Sequence, residues 1–179
     1  MMKKQVLVLF VMLQVVFLML GVTAFSEEGM QTLADRFEMT NKMGLYTFAW
    51  DENTPEEFRN VYTDDVVFET WKPGKQEILY RVEGLQANID RNMKMIGGLR
   101  KNGGACRHNL SNVVFLELTE NTATTKTVYT FSLFRQIDAE PVIISGTFND
   151  SWIKMEKGWF IKERVVIYDN FPAALAQPK

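Results

Sequence analysis

The fold is decided by residues 106–169, which read CRHNLSNVVFLELTENTATTKTVYTFSLFRQIDAEPVIISGTFNDSWIKMEKGWFIKERVVIYD. Four runs rich in β-branched and aromatic residues fill this stretch, at 106–118, 122–135, 141–156 and 159–169. The breaks between them are short and polar, and the last, Lys157-Gly158, is typical of a two-residue hairpin turn. The stretch therefore predicts four consecutive antiparallel strands.

Helical patterns come before these strands. Apolar residues at helical spacing predict a helix over Gln31–Trp50, and Pro55 opens a short second helix that runs to about Tyr62. Two shorter strands, Val66–Trp71 and Glu77–Val82, should follow, and then a third helix over Gly84–Met95 that ends at Gly97-Gly98. Helices followed by strands indicate an α+β domain. Long strands must twist, so we expect a strongly curved antiparallel sheet, cone-shaped, with the N-terminal helices enclosing a pocket.

The first residues indicate export. Lys3 and Lys4 precede an apolar run from Val6 to Leu20, and small residues lead up to Ala24. This order is that of a secretory signal peptide, so we expect residues 1–24 to be cleaved and residues 25–179 to form one domain, periplasmic or secreted. The alternative is an uncleaved membrane anchor, since the apolar run is just long enough to span a bilayer.

Composition limits the classes of partner. The net charge is −2, and loss of Lys3 and Lys4 with the signal peptide makes it −4. Without a basic cluster, a nucleic-acid partner is not expected. Cys106 is the sole cysteine, so no internal disulfide forms, and we expect it to be a small half-buried residue. Contact with a membrane is expected only through an uncleaved signal segment.

Three segments carry a resemblance to a known family. They are Phe48–Asp51 followed by Glu56–Phe68, then Arg107–Asn112, and last Gly146–Asp150 followed by Gly158–Ile161 and Arg164. In order and spacing they resemble the SnoaL-like branch of the nuclear transport factor 2-like superfamily, over roughly Gln31 to Asp169. That superfamily includes scytalone dehydratase, ketosteroid isomerase and polyketide cyclases. The resemblance implies the cone-shaped fold predicted above, and one fold of this kind supports many chemistries.

His108 is the only histidine of the chain and lies on a predicted strand, where alternation places it on one face with Leu110 and Asn112. In dehydratase-like members, a histidine at the matching position works with an acidic residue near the end of the first helix. The resemblance therefore implies that His108 and Asp51 form a catalytic acid–base pair. The dehydratase has a second histidine on the next strand, whereas Tyr129–Arg135 contains none.

This pair suggests a cofactor-independent lyase or isomerase acting in a small-molecule pocket. We expect Tyr46, Trp50, Asn112 and Asn149 to contact the ligand, a hydrophobic or aromatic small molecule. One histidine and one cysteine give no metal-ligand spacing, so neither a metal nor another cofactor is expected.

Each residue also has a structural interpretation. His108 could be a hydrogen-bonded structural residue, Asp51 could belong to a turn, and the asparagines could cap strand edges. The alternative function is accordingly a non-catalytic ligand-binding or dimeric interaction domain. In either case, the resemblance implies a homodimer through the outer face of the sheet, because that face is often apolar in this superfamily and the last strands here are rich in Val, Ile and Phe.

Overall fold

The computed structural model describes residues 29–73, 77–135 and 140–170. The chain divides into two compact units, Met1–Glu38 and Met39–Lys179. In the first unit, residues 29–38 are helical. The predicted signal peptide and the domain boundary after Ala24 lie outside the described residues. Within the described ranges, no helix is long and apolar enough to span a membrane.

The second unit carries the predicted succession of helices and strands. Helix α1 covers residues 39–52, and a 3₁₀-helix follows at Pro55–Asn60. The remaining elements, in chain order, are β1 (Tyr62–Trp71), β2 (Ile78–Glu83), α2 (Leu85–Lys101), β3 (Ala105–Leu118), β4 (Thr122–Phe134), β5 (Val142–Met155) and β6 (Gly158–Tyr168). The expected α+β class is confirmed. The main difference in the strands is that β1 begins four residues earlier than predicted.

The six strands form one curved, unclosed sheet in the order β2-β1-β6-β5-β4-β3. Strands β3 to β6 form the predicted antiparallel meander. The sheet is not wholly antiparallel, however, because β1 and β6 run parallel. The chain enters through the β1–β2 hairpin, crosses by α2 to the far edge, and returns strand by strand until β6 lies beside β1. This return places β3 at the edge.

Every residue from 31 to 50 is helical, as predicted. Helix α1, however, leaves Leu45 and Phe48 39% and 54% exposed, although their spacing contributed to that prediction. It buries Met39, Met43, Tyr46 and Trp50 at spacings of three and four residues. Helix α2 is longer than expected, because Gly97 and Gly98 continue it to Lys101. It ends where Gly103 takes a positive φ of 73°, a conformation that glycine adopts at no steric cost.

The concave face of the sheet holds the core of this unit. Alternate residues of β4 and β5 point inward, which gives each strand its alternating burial. Buried aromatic rings dominate the space between α1 and the sheet: Tyr46, Trp50, Phe58, Tyr62, Tyr129, Phe148, Trp152 and Trp159. The functional candidates on α1 and β3 therefore meet among aromatic rings.

Candidate functional site

His108 and Asp51 lie in direct contact. The Nδ1 atom of His108 is 2.8 Å from Oδ1 of Asp51, and both side chains are buried, with exposed fractions of 7% and 2%. The backbone N–H of His108 also donates to the same carboxylate, 3.0 Å from Oδ2 and 3.2 Å from Oδ1. The structure thus brings together the two residues that the resemblance paired.

The position of each residue explains the contact. Asp51 lies in the last turn of α1, and His108 lies on β3, the edge strand, opposite Phe131 of β4. An edge strand leaves every second backbone N–H without a strand partner. The Asp51 carboxylate satisfies one of these groups, and nearby the Cys106 thiol donates to the Trp50 carbonyl oxygen at 3.8 Å. The end of α1 is therefore hydrogen-bonded along the edge of β3.

The surroundings of His108 set its protonation. Burial lowers its pKa below the ordinary value of 6.5, and this outweighs the opposing effect of the Asp51 hydrogen bond. A neutral ring that donates from Nδ1 to Asp51 has its lone pair on Nε2. The pair is thus arranged as a base whose proton-accepting nitrogen faces away from the carboxylate.

Aromatic rings of the described residues enclose the imidazole. The centroid distances are 4.5 Å to Phe131, 5.7 Å to Trp50 and 5.9 Å to Tyr46. Tyr46 and Trp50 are themselves only 3% and 5% exposed, and burial raises the pKa of Tyr46 to about 12. Both predicted ligand contacts therefore line the His108 ring, and Nε1 of Trp50 is buried without a hydrogen-bond partner.

The two predicted asparagines lie away from this ring. A register shift between Ser111 and Val114 interrupts β3, and Asn112 sits there exposed with a positive φ of 49°. The alternation expected to place it beside His108 is therefore broken by a β-bulge. Asn149 lies on β5 between the inward-facing Phe148 and Asp150, so it points to the outer face of the sheet, and its Oδ1 has no partner.

A second buried pair was not anticipated. Arg164 donates from Nε and Nη2 to the two carboxylate oxygens of Asp150, at 2.7 and 2.8 Å, and both side chains are fully buried. Nη1 donates to the Tyr62 hydroxyl at 2.9 Å, and the guanidinium lies 4.2 Å from the Tyr46 ring centroid. Asp150 and Arg164 are seven residues either side of Lys157. The predicted turn at Lys157-Gly158 would instead pair Asp150 with Val165. The structure turns at Glu156-Lys157, and the register shift between Ser151 and Trp152 brings Asp150 opposite Arg164.

The remaining chemistry-bearing groups are readily placed. Cys106 is buried, and burial raises the pKa of its thiol to about 11, so the thiol stays protonated near neutral pH. The described residues contain no group of three or more His, Cys, Asp or Glu side chains that could hold a metal ion. A shallow hollow of about 80 Å³ lies on the sheet near Glu69, Arg81 and Glu163, separate from the His108 ring.

A family model described as a SnoaL-like domain matches residues 31–165. The chain belongs to the SnoaL-like family. This confirms the family suggested by the three sequence segments, whose resemblance covered nearly the same residues. A search of curated proteins finds no match.

Solved structures show the same fold as this SnoaL-like domain. An NTF2-like protein with a cystatin-like fold from Novosphingobium aromaticivorans is 17% identical with a TM-score of 0.66, covering 81% of this chain and 88% of that one. A provisionally assigned scytalone dehydratase from the same organism is 20% identical with a TM-score of 0.64, covering 76% and 85%. The beta subunit of a provisionally assigned aromatic-ring-hydroxylating dioxygenase, also from that organism, is 18% identical with a TM-score of 0.64, covering 79% and 93%. At these identities the likeness concerns the fold alone.

Proposed function

We propose that this SnoaL-like domain is a cofactor-independent lyase or isomerase in which His108 transfers a proton on a hydrophobic or aromatic small molecule. The observation that carries the proposal is the buried hydrogen bond of 2.8 Å between Nδ1 of His108 and Asp51. It leaves a neutral imidazole whose Nε2 can accept a proton near neutral pH.

The reaction follows from this arrangement. Nε2 of His108 takes a proton from a carbon next to a carbonyl, and the Asp51 carboxylate stabilises the imidazolium that forms. The same nitrogen then returns the proton, either to another carbon, which is an isomerisation, or to a departing hydroxyl group, which is a dehydration. Asp51 is hydrogen-bonded from two sides by His108, so the ring orientation is fixed throughout.

Hydrogen–deuterium exchange provides a direct test. The mature protein is incubated in D₂O with a panel of neutral cyclic and aromatic ketones, and loss of the α-proton signal is followed by NMR. We expect the wild type to accelerate exchange, and His108→Ala to lower that rate by roughly 10²- to 10⁴-fold. Asp51→Asn, which keeps the shape but not the charge, should lie between them.

Lys94→Gln is the matched control. Lys94 is exposed on α2 and takes no part in the pair, so its variant should exchange protons at the wild-type rate. An unchanged rate in His108→Ala, with the variant folded, would remove the proposed role of His108.

One observation favours a second candidate, a non-catalytic ligand-binding or dimeric interaction domain. Three aromatic rings pack on the imidazole and leave only 7% of the His108 side chain exposed. In that case the pair serves to fasten α1 to the edge strand. Wild-type protein that exchanges no ketone in the panel, together with a lower stability of His108→Ala, would support this candidate.

We further propose that the protein is exported and forms a homodimer. Export is supported by the basic start and apolar run of residues 1–24. Its test is the N-terminal residue of protein recovered outside the cytoplasm, which mass spectrometry should place near Phe25. A recovered chain that still begins at Met1 would contradict cleavage. The homodimer is treated below at the scale of the whole molecule.

A further inference from the structure

Two arginines meet at the outer side of the Asp51–His108 pair. Arg100, in the last turn of α2, donates through Nη2 to the backbone carbonyl of Asp51. Arg107, on β3, places Nη1 3.5 Å from Oδ2 of the same residue. Two elements distant in sequence thus bring guanidinium groups to one end of α1.

These contacts leave N–H donors of both guanidinium groups available. The Arg107 separation of 3.5 Å exceeds that of an N–H···O hydrogen bond, and its side chain is 57% exposed. Asp51 already accepts from the backbone N–H and the ring N–H of His108. A guanidinium carries five N–H donors, so most of those on Arg107 and on the exposed Arg100 remain for a ligand.

The local charge is opposite in sign to that of the whole chain. Arg100 and Arg107 both contact Asp51, and His108 is neutral near pH 7, so two positive charges face one carboxylate. The chain as a whole carries a net charge of −2. A small positive region on an acidic protein attracts anions to that place in particular.

Aromatic side chains adjoin this region but are largely buried, with Trp50 5% exposed and the His108 side chain 7% exposed. Asp51 follows Trp50 directly in α1, and Arg107 precedes His108 directly in β3. Each of these two charged residues is therefore next in sequence to an aromatic residue of the His108 site. The Trp50 ring lies 5.7 Å from the His108 ring. An acidic ligand held by the arginines would therefore lie next to aromatic side chains.

We propose that Arg100 and Arg107 bind the carboxylate of an aromatic acid beside the Asp51–His108 pair. This inference rests on the proposed function and names its substrate class. Arginine suits the task because its planar fork of donors matches the two oxygens of a carboxylate. The aromatic ring of the ligand lies toward Trp50 and the imidazole.

The test compares acids with their uncharged amides. Benzoate and benzamide, and 1-naphthoate and 1-naphthamide, are titrated into the mature protein while the His108 ring signals are followed by NMR. We expect each acid to bind about tenfold more tightly than its amide. Arg107→Gln should remove most of that preference, Arg107→Lys should keep part of it, and the control Lys94→Gln should keep all of it.

Arg100→Gln removes the contact with the Asp51 carbonyl as well, so its stability is checked by urea unfolding beside its affinity. A folded Arg100→Gln should also lose preference for the acid. Equal affinity for acid and amide would overturn the inference, as would a preference unaffected by Arg107→Gln. Failure of both acids to bind at millimolar concentrations would overturn it equally.

These outcomes are separable from those of the proposed function, because the exchange assay uses neutral ketones. Ketone exchange that depends on His108, without a preference for acids, leaves the proton-transfer proposal standing and removes the arginine site. A preference for acids that depends on Arg107, without any exchange, does the reverse.

Discussion

At the scale of single residues, His108 gives the unfolding free energy a pH dependence of defined sign. Burial lowers its pKa in the folded state below 6.5, so between these two values the unfolded chain binds more protons. The contribution of His108 is fully present above 6.5 and is lost as the pH falls toward its folded pKa. Urea unfolding between pH 5 and 8 should therefore show the stability advantage of wild type over His108→Gln shrinking at low pH.

Comparing wild type with His108→Gln cancels the pH dependence that comes from the carboxylates present in both proteins. An advantage that instead grows at low pH would mean that the Asp51 hydrogen bond outweighs burial and that the ring becomes charged in the folded state.

Arg164 and Asp150 form a buried ion pair, and removing one partner leaves the other charged and unpaired. We expect Arg164→Met or Asp150→Leu alone to cost about 3–5 kcal/mol of the free energy of unfolding. The double variant should cost clearly less than the two losses together, since no charge is stranded. Urea unfolding of the four proteins forms a double-mutant cycle, and additive losses would contradict coupling.

Residue types and resemblance were enough to predict the His108–Asp51 contact, because each partner belonged to a recognisable segment. They were not enough for Asn112, since alternation cannot foresee the bulge that turns it outward. Nor did they reveal the aromatic packing over His108. Filling of a cavity depends on side-chain volumes from α1, β3 and β4 together.

At the scale of elements, two glycines test strand and helix packing, because one is crowded by its neighbours and the other has open space around it. A Cβ on Gly146 would collide with the carbonyl oxygen of Ile167 in β6 and lie 2.9 Å from the Tyr129 ring. Gly146→Ala should therefore lower the melting temperature. Gly98, inside α2, has no atom within 4 Å of its would-be Cβ, so Gly98→Ala should raise stability by up to about 1 kcal/mol.

Thermal unfolding of both variants beside the wild type decides this. Equal effects of the two substitutions would contradict the close approach of β5 and β6 at Gly146.

The elements themselves were largely predictable, because turn residues and periodicity are local signals. Two features were not local. Gly97 and Gly98 suggested a helix end, yet α2 continues to Lys101 with the side chain of Leu99 against the backbone at Gly104. Strand β1 pairs in parallel with β6, the last strand of the chain. That pairing depends on the path of every element between the two strands, so no short stretch of sequence predicts it.

At the scale of the whole molecule, the proposed homodimer uses the outer face of the sheet. Trp71, Ile167, Thr147 and Val128 lie in one row across β1, β6, β5 and β4 there. We expect size exclusion with light scattering to give twice the mass of the mature chain. Ile167→Lys should shift it to the monomer, whereas the control Lys94→Gln should not; a monomeric wild type would contradict the proposal.

The edge of the sheet has a consequence for solubility. Strand β3 is fourteen residues long, and an open edge of that length could recruit strands from other molecules and grow into fibres. Asp51 occupies one of its outward N–H groups, and two irregularities in register, after Ser111 and after Phe115, distort its second half. The Asp51 carboxylate, which orients His108, thus also hinders edge-to-edge association between molecules. We expect that the first effect of substituting Asp51 is a greater tendency of the purified protein to aggregate.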